Sequence, residues 1–262
     1  MAIAQADESR FEIGRVVKRT FGVIGRNLAT FALLSLIAGV PFAIVTWSRS
    51  GANLFSLTPF TGRTIGLAAL SWLIYLVTLV VLQATITYAT IADLNGRRAS
   101  VADCISTGIS HLVPLILIAV FAGLGILLGF LLLVVPGILI AISWSVAVPV
   151  RVIERSGVID SILRSNKLTS GHFGAIFVLM IALFIAQMII AGVVGALIGV
   201  VLALVSPESV ATIRTSWVGI ASSAIGAMIS GIISSAGTAS IYFELRSIKE
   251  GIGPERLAAV FD

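Results

Sequence analysis

The sequence predicts an all-α integral membrane protein of six transmembrane helices with about three cytoplasmic interfacial amphipathic helices. Three observations predict it. First, 58% of the 262 residues are hydrophobic and 11% charged, with mean hydropathy +1.11, whereas a soluble domain carries about 25% charged residues. Second, uncharged runs fill 27–48, 64–92, 114–150, 173–207 and 215–243. A spanning helix needs about 20 apolar residues, and the run at 114–150 holds two, broken at Pro136-Gly137. Third, fourteen Lys and Arg fall in the N-terminal segment, the 93–113 and 151–172 loops and the C-terminal tail, against three in the alternate loops. Positive charge marks the cytoplasmic side, so both termini are expected there. One domain over 1–262 follows: an amphipathic helix at 1–27, a six-helix bundle at 28–247 and a cytoplasmic tail at 248–262.

The N-terminal segment 9–26 repeats Ile13, Val17, Phe21 and Ile24 at three- and four-residue steps, the spacing of one helix face. Arg15, Arg19 and Arg26 fall on another side. Such a helix lies in the interface with its cations among headgroups, or packs on the bundle with a solvated basic face. No cleavable signal is read here, because charge interrupts the apolar residues. The first crossing is expected over 28–47, and a polar outer loop at 48–63 carries Gly51, Pro59 and Gly62 as breakers. The second crossing, 64–93, contains Gln83, Thr85 and Thr87 as hydrogen-bonding groups between helices.

Ser100 and Asp103 have capping-box spacing, and Val101, Ile105, Ile109 and Leu112 mark the apolar face of a second short helix. Pro114 suits the first turn of the third crossing, where its missing N–H costs little. That crossing, 114–135, carries the close-packing pair Gly125 and Gly129. Pro136-Gly137 is expected to form the outer turn. The fourth crossing, 138–153, should kink at Pro149. A third short helix at 157–169 sets Asp160 four residues before Arg164, a favourable order, and Gly171 can terminate it.

The fifth crossing, 173–204, would run about 48 Å at 1.5 Å per residue, longer than a core of about 30 Å, so it must tilt, protrude or break. It carries a second close-packing pair, Gly195 and Gly199. After Ser206-Pro207-Glu208 comes the sixth crossing, 214–247, with Gly219, Ser223, Gly226, Ser230, Ser234 and Thr238 along one face. This small-residue line is expected to pack at the bundle centre.

An internal repeat is visible. Three junctions read GRNLATF, ISHLVPL and SGHFGAI, with Asn27, His111 and His172 in register. Each following hairpin ends in acid then base: Asp93 with Arg97, Glu154 with Arg155, Glu244 with Arg246. Copies that cross twice keep one orientation, so three hairpins would be related about the membrane normal, in a pseudo-threefold arrangement.

The lone Cys104 excludes an intrachain disulfide and a cysteine-based zinc site, and reads as a small apolar residue on a helix face. His111 and His172 read as interfacial residues. No cofactor, metal site or nucleic-acid partner is expected.

The segment VVPGILIAISWSVAVPVRVIERSGVIDSILRSNKLTSGH resembles the bacterial glycerophosphoryl diester phosphodiesterase membrane-domain family, akin to the YciC-like inner-membrane proteins. Pro136-Gly137, Trp144-Ser145, Pro149, Glu154, Arg164-Ser165 and Leu168-Thr169-Ser170-Gly171-His172 carry the resemblance. The closing YFELRSIKEG, Tyr242 to Gly251, fits as well, and the N-terminal FEIGRVVKRTFGVIGRN fits more loosely. Asn166-Lys167 departs from the pattern. In relatives the domain can be joined to a soluble phosphodiesterase domain, which is not expected here. The resemblance implies a bacterial inner-membrane protein.

Metal-assisted phosphodiester cleavage needs carboxylates and histidines converging on a hard cation, and no crossing holds a carboxylate between its ends. The chain is therefore expected to be non-enzymatic. Its expected partners are membrane lipids, a membrane protein or a second copy. The expected surface is a cytoplasmic basic rim of Arg15, Arg19, Arg26, Arg151, Arg155, Arg164 and Lys167, since cations at membrane entry points attract anionic headgroups. The alternatives are a passive transporter or lipid translocator using the serine-rich sixth helix, and a scaffold or regulator in envelope homeostasis. Coupled transport generally needs ionisable groups within the membrane, which the crossings lack. The candidate headgroup or structural-motif residues are Glu154, Arg164, Ser165, Gly171, His172, Pro136 and Gly137.

Overall fold

A computed structural model describes residues 11–50, 62–205 and 217–251. The loop at 51–61, the Ser206-Pro207-Glu208 break and the tail beyond 251 lie outside the described residues. Those described form ten helices: α1 (Ile13–Arg26), α2 (Leu28–Ser50), α3 (Gly62–Leu94), α4 (Val101–Ser110), α5 (Leu112–Leu132), α6 (Val134–Ser143), α7 (Ala147–Glu154), α8 (Val158–Thr169), α9 (Phe173–Val205) and α10 (Trp217–Glu250). Five stretches are long and apolar enough to cross a membrane: Trp72–Leu94, Leu112–Leu132, Val134–Glu154, Phe173–Val201 and Ile225–Glu250. A sixth is added if α1 and α2, bent by 78° at their junction, count as one broken span. The expected six crossings therefore stand at five or six.

The prolines set the breaks, and they act four residues upstream. A proline ring clashes with the carbonyl of residue i−4. For Pro136 that is Leu132, where α5 ends. The turn is the single extended residue Leu133 (φ −165°, ψ 155°), not Pro136-Gly137, which lie inside the first turn of α6. There the missing N–H of Pro136 has no intrahelical acceptor to lose. For Pro149 the clashing carbonyl is that of Ser145. The kink accordingly falls at 144–146, where Ser145 N donates to Ile142 O (3.2 Å) and Ala147 N to Trp144 O (3.1 Å).

Of the two predicted glycine pairs, close packing follows one. A Cβ on Gly129 would lie 2.8 Å from Gly137 Cα, and one on Gly125 would lie 2.2 Å from the Trp144 ring. At Gly195 and Gly199 a Cβ would meet nothing within 4 Å, so that pair makes no close contact among the described residues. Helix α9 runs unbroken through all 33 residues.

The second short helix matches expectation except at Ile109. In α4 the capping box closes as predicted: Asp103 N donates to Ser100 Oγ (3.1 Å), and the Asp103 carboxylate accepts from Ser100 N (3.4 Å). Its buried residues, however, are Cys104 and Gly108, while Ile109 is exposed. Gly108 faces Thr85 and the Val81 carbonyl, so small residues bring α4 close to α3, while Val101, Ile105 and Leu112 of the expected apolar line pack at the edge of the core. A side chain as apolar as Ile109 can stay outside when hydrocarbon rather than water surrounds it.

Helix α10 packs on α1, α2, α3, α7, α8 and α9 and so takes the expected centre. Its buried side is Ser235, Ala236, Ala239 and Ser240, with Ser234 exposed. The predicted small-residue line is thus the less buried edge at Ser230, Ser234 and Thr238; Gly219 and Ser223 lie where no side chain is described.

The three junctions named above each lie at a helix start. The carbonyls of Asn27, His111 and His172 each accept from the residue four ahead, Phe31, Leu115 and Ile176, at 2.9, 3.0 and 3.0 Å. Each therefore begins a long helix. Helices α3, α7 and α10, each at the end of a hairpin, pack on α4, α8 and α1 in turn. The first two pairings join neighbours in sequence. The third joins the first and last described helices and closes a ring.

Candidate functional site

Where the ring closes, the short helices and the charged ends of α3, α7 and α10 form one polar end of the bundle. Beneath it lies the largest of three apolar clusters among the described residues, which includes Val16, Ile91, Val150, Leu168, Ile176 and Leu245. Each hairpin-ending acid reaches an arginine on a short helix, not the base that follows it in sequence. Asp93 accepts from Arg26 Nη2 (2.6 Å) and Nε (3.2 Å) and from Asn27 Nδ2 (2.8 Å). Glu154 accepts from Arg164 Nε (3.2 Å) and the Tyr242 hydroxyl (2.9 Å). Glu244, with a side chain only 2% exposed, accepts from Arg15 Nε (2.8 Å) and from Arg19.

These pairs are tied to one another. Arg164 also binds Glu250, which accepts from Arg246 Nε (2.8 Å), and Arg246 Nη1 donates to the Tyr242 hydroxyl (3.3 Å). Arg19 additionally stacks over Phe243, 5.3 Å from the ring centroid. Asp160 forms no ion pair with Arg164; the arginine turns inward to two carboxylates that are more buried. The basic side of α1 likewise faces Glu244, where headgroups or solvent had been expected.

Other cations close helix ends. The N–H groups of Arg151 reach the carbonyls of Arg155 (3.0 Å) and Ser156. Lys249 Nζ donates to Ser170 O (2.8 Å), Ser170 Oγ (3.2 Å) and Lys167 O. These carbonyls have no intrahelical donor, and a cation there also complements the helix dipole.

The predicted motif residues divide between the two ends of the molecule. Glu154 and Arg164 meet. Ser165 Oγ donates to Ser143 O (2.7 Å), joined there by Thr169 Oγ1 (3.3 Å). That carbonyl is available because the turn caused by Pro149 sends Ala147 N to Trp144 instead. Gly171 (φ 87°) makes the chain reversal after α8. His172 packs against Phe11, ring centroids 6.0 Å apart, with its Nδ1 buried and unbonded. Pro136 and Gly137 lie at the opposite end; Gly137 packs on Phe130. Tyr242 and Glu250 were not among the candidate site residues, although both lie in the closing YFELRSIKEG motif that carries part of the resemblance.

Five cations on this end make no ion pair or hydrogen bond through their side chains among the described residues: Lys18, Arg97, Arg98, Arg155 and Lys167, all exposed. They replace most of the expected rim, since Arg15, Arg19, Arg26, Arg151 and Arg164 are engaged within the protein. Cys104 is fully buried, and burial pushes its thiol up to about 11, with Asp103 adding to the shift. Such a thiol is a poor nucleophile at neutral pH. Among the described residues no group of three or more His, Cys, Asp or Glu could hold a metal ion.

A UPF0259 membrane protein of Pectobacterium carotovorum subsp. carotovorum (strain PC1) is 36% identical over 81 residues, which is 31% of this chain and 32% of that protein. The chain thus spans about a third of the length of the curated relative it matches. No family model matches the chain, so the phosphodiesterase membrane-domain resemblance rests on its motifs alone, and no solved structure matches it. The relative and the apolar helices together fit a multi-pass membrane protein of an uncharacterised kind.

Proposed function

We propose that the chain is a non-enzymatic protein of the bacterial cytoplasmic membrane, with both termini in the cytoplasm, whose polar end engages anionic lipid headgroups. One observation carries this reading: the acids of that end are mostly paired internally, while Lys18, Arg97, Arg98, Arg155 and Lys167 point outward unpaired. An unpaired cation at a membrane surface is worth about 1 kcal/mol against anionic lipid. The five sit on α1, on the α3–α4 loop, on the α7–α8 turn and on α8, and all but Lys18 lie within six residues of the end of a membrane-length helix. That is where headgroups lie, which favours lipid over a soluble partner. The carboxylates a hydrolytic site would use are occupied: Asp93, Glu154, Glu244 and Glu250 each hold a guanidinium. A passive route along the sixth crossing gains no support, because the Ser234 edge faces outward.

The test is native mass spectrometry after reconstitution in equimolar phosphatidylglycerol and phosphatidylethanolamine. The wild type should retain phosphatidylglycerol preferentially, and less of it as salt rises. Changing Lys18, Arg97, Arg98 and Lys167 together to Gln should remove most of that preference while leaving the thermal midpoint within a few degrees. A wild type that retains both lipids equally would sink the reading.

A further inference from the structure

Among the described residues, Arg155 is the one non-glycine residue with positive φ (φ 52°, ψ 25°). It follows Glu154 at the end of α7, with its N–H donated to Arg151 O (3.1 Å). The left-handed conformation lets the chain reverse into α8, and it directs the carbonyls of residues 155 and 156 to Arg151. Such a helix-ending position favours glycine, whose lack of a Cβ removes the steric cost. The strained backbone is therefore explained by the turn, but the arginine side chain is not. It is exposed and makes no internal bond. Ion pairing, packing and carbonyl capping, which account for Arg15, Arg19, Arg26, Arg151 and Arg164, all fail to account for Arg155.

We propose that Arg155 is a headgroup-binding residue, its guanidinium taking the phosphate of an anionic lipid at the α7–α8 turn. This deepens the reading of the polar end and rests on it. Strain retained where the fold does not need the side chain points to a role in binding. A guanidinium presents a planar fork that bonds two phosphate oxygens at once, and all of its donors are free here. Arg151 adds a second positive charge at the same turn; its Nη1 is held by the carbonyls of residues 155 and 156, and its Nε is buried without a partner. Asp160, exposed in the first turn of α8, opposes the anion, and it does not neutralise Arg155 by pairing with it.

The experiment uses the full chain in the same equimolar bilayers, reading phosphatidylglycerol retention by native mass spectrometry and the thermal midpoint in detergent. Arg155→Gly should lower phosphatidylglycerol retention about fivefold, the weight of one surface cation, with the midpoint unchanged or raised. Asp160→Asn should raise retention. A lower midpoint for Arg155→Gly would show that the arginine serves the helix end, and would overturn the assignment. Unchanged retention in Arg155→Gly beside a loss in Lys18→Gln would also overturn it, while leaving the wider reading standing. Equal loss of both lipids would overturn it as well: both carry the phosphate, but the ammonium of phosphatidylethanolamine repels a guanidinium bound there. If the wild type shows no preference for phosphatidylglycerol, the wider reading itself fails.

Discussion

Glu244 shows how much a single buried carboxylate can organise. Its side chain is 2% exposed and it faces two arginines of α1 that are 30% and 26% exposed. Two half-wet cations offset the desolvation of one buried anion better than a single partner could. Removing one member of a buried pair costs about 3–5 kcal/mol, and the partial exposure of the arginines moderates this. Glu244→Gln is therefore expected to destabilise the protein by about 2 kcal/mol and to loosen α1. Thermal unfolding in detergent together with limited proteolysis at 11–27 checks this. An unchanged midpoint with α1 still protected would mean that apolar contacts such as Val16 hold the helix without the pair. The acid at the end of an apolar run was legible from the sequence. Its partners were not, because they lie 229 and 225 residues away.

At the scale of elements, glycine spacing and glycine packing turn out to be separable. Gly129 sits against the backbone of Gly137, so an added methyl must push α5 and α6 apart. Overpacking of this kind costs about 1–3 kcal/mol. Gly199 has open space around it, and replacing glycine with alanine in an open helix gains about 0.5–1 kcal/mol. Gly129→Ala and Gly199→Ala should therefore shift the thermal midpoint in opposite directions. A destabilised Gly199→Ala would reveal a neighbour on α9 beyond the described residues. The two pairs are indistinguishable in sequence; what separates them is that Leu133 folds α6 directly back onto α5, while the long α9 diverges beyond its contacts with α1, α6 and α10.

For the whole molecule, the ring of hairpin ends on short helices requires α1, α4 and α8 to share one side of the membrane. In a Cys104→Ser background, single cysteines at Lys18, Arg98 and Lys167 should all react with a membrane-impermeant maleimide from the same side, expected to be the cytoplasmic one. Labelling of Arg98→Cys from the side opposite to Lys18→Cys would break the ring and the repeat together. The background substitution is needed to keep the assay clean, although Cys104 is buried and holds its proton tightly.

The sequence by itself determined what depends on local chemistry: which stretches are apolar, where proline and glycine interrupt them, where Ser100 caps a helix, and which loops are basic. Those features act within a few residues, so periodicity and charge reveal them. Even there the proline breaks fell upstream of the prolines, because the clash is with the carbonyl four residues earlier. Only the tertiary structure decided which arginine meets which acid, which face of α4 and of α10 is buried, and which cations stay free. In a membrane, apolar faces toward lipid and toward protein look alike, since hydrocarbon solvates both. The choice of face therefore falls to small residues and long-range ion pairs, and Arg15 meeting Glu244 across nearly the whole chain is the clearest instance.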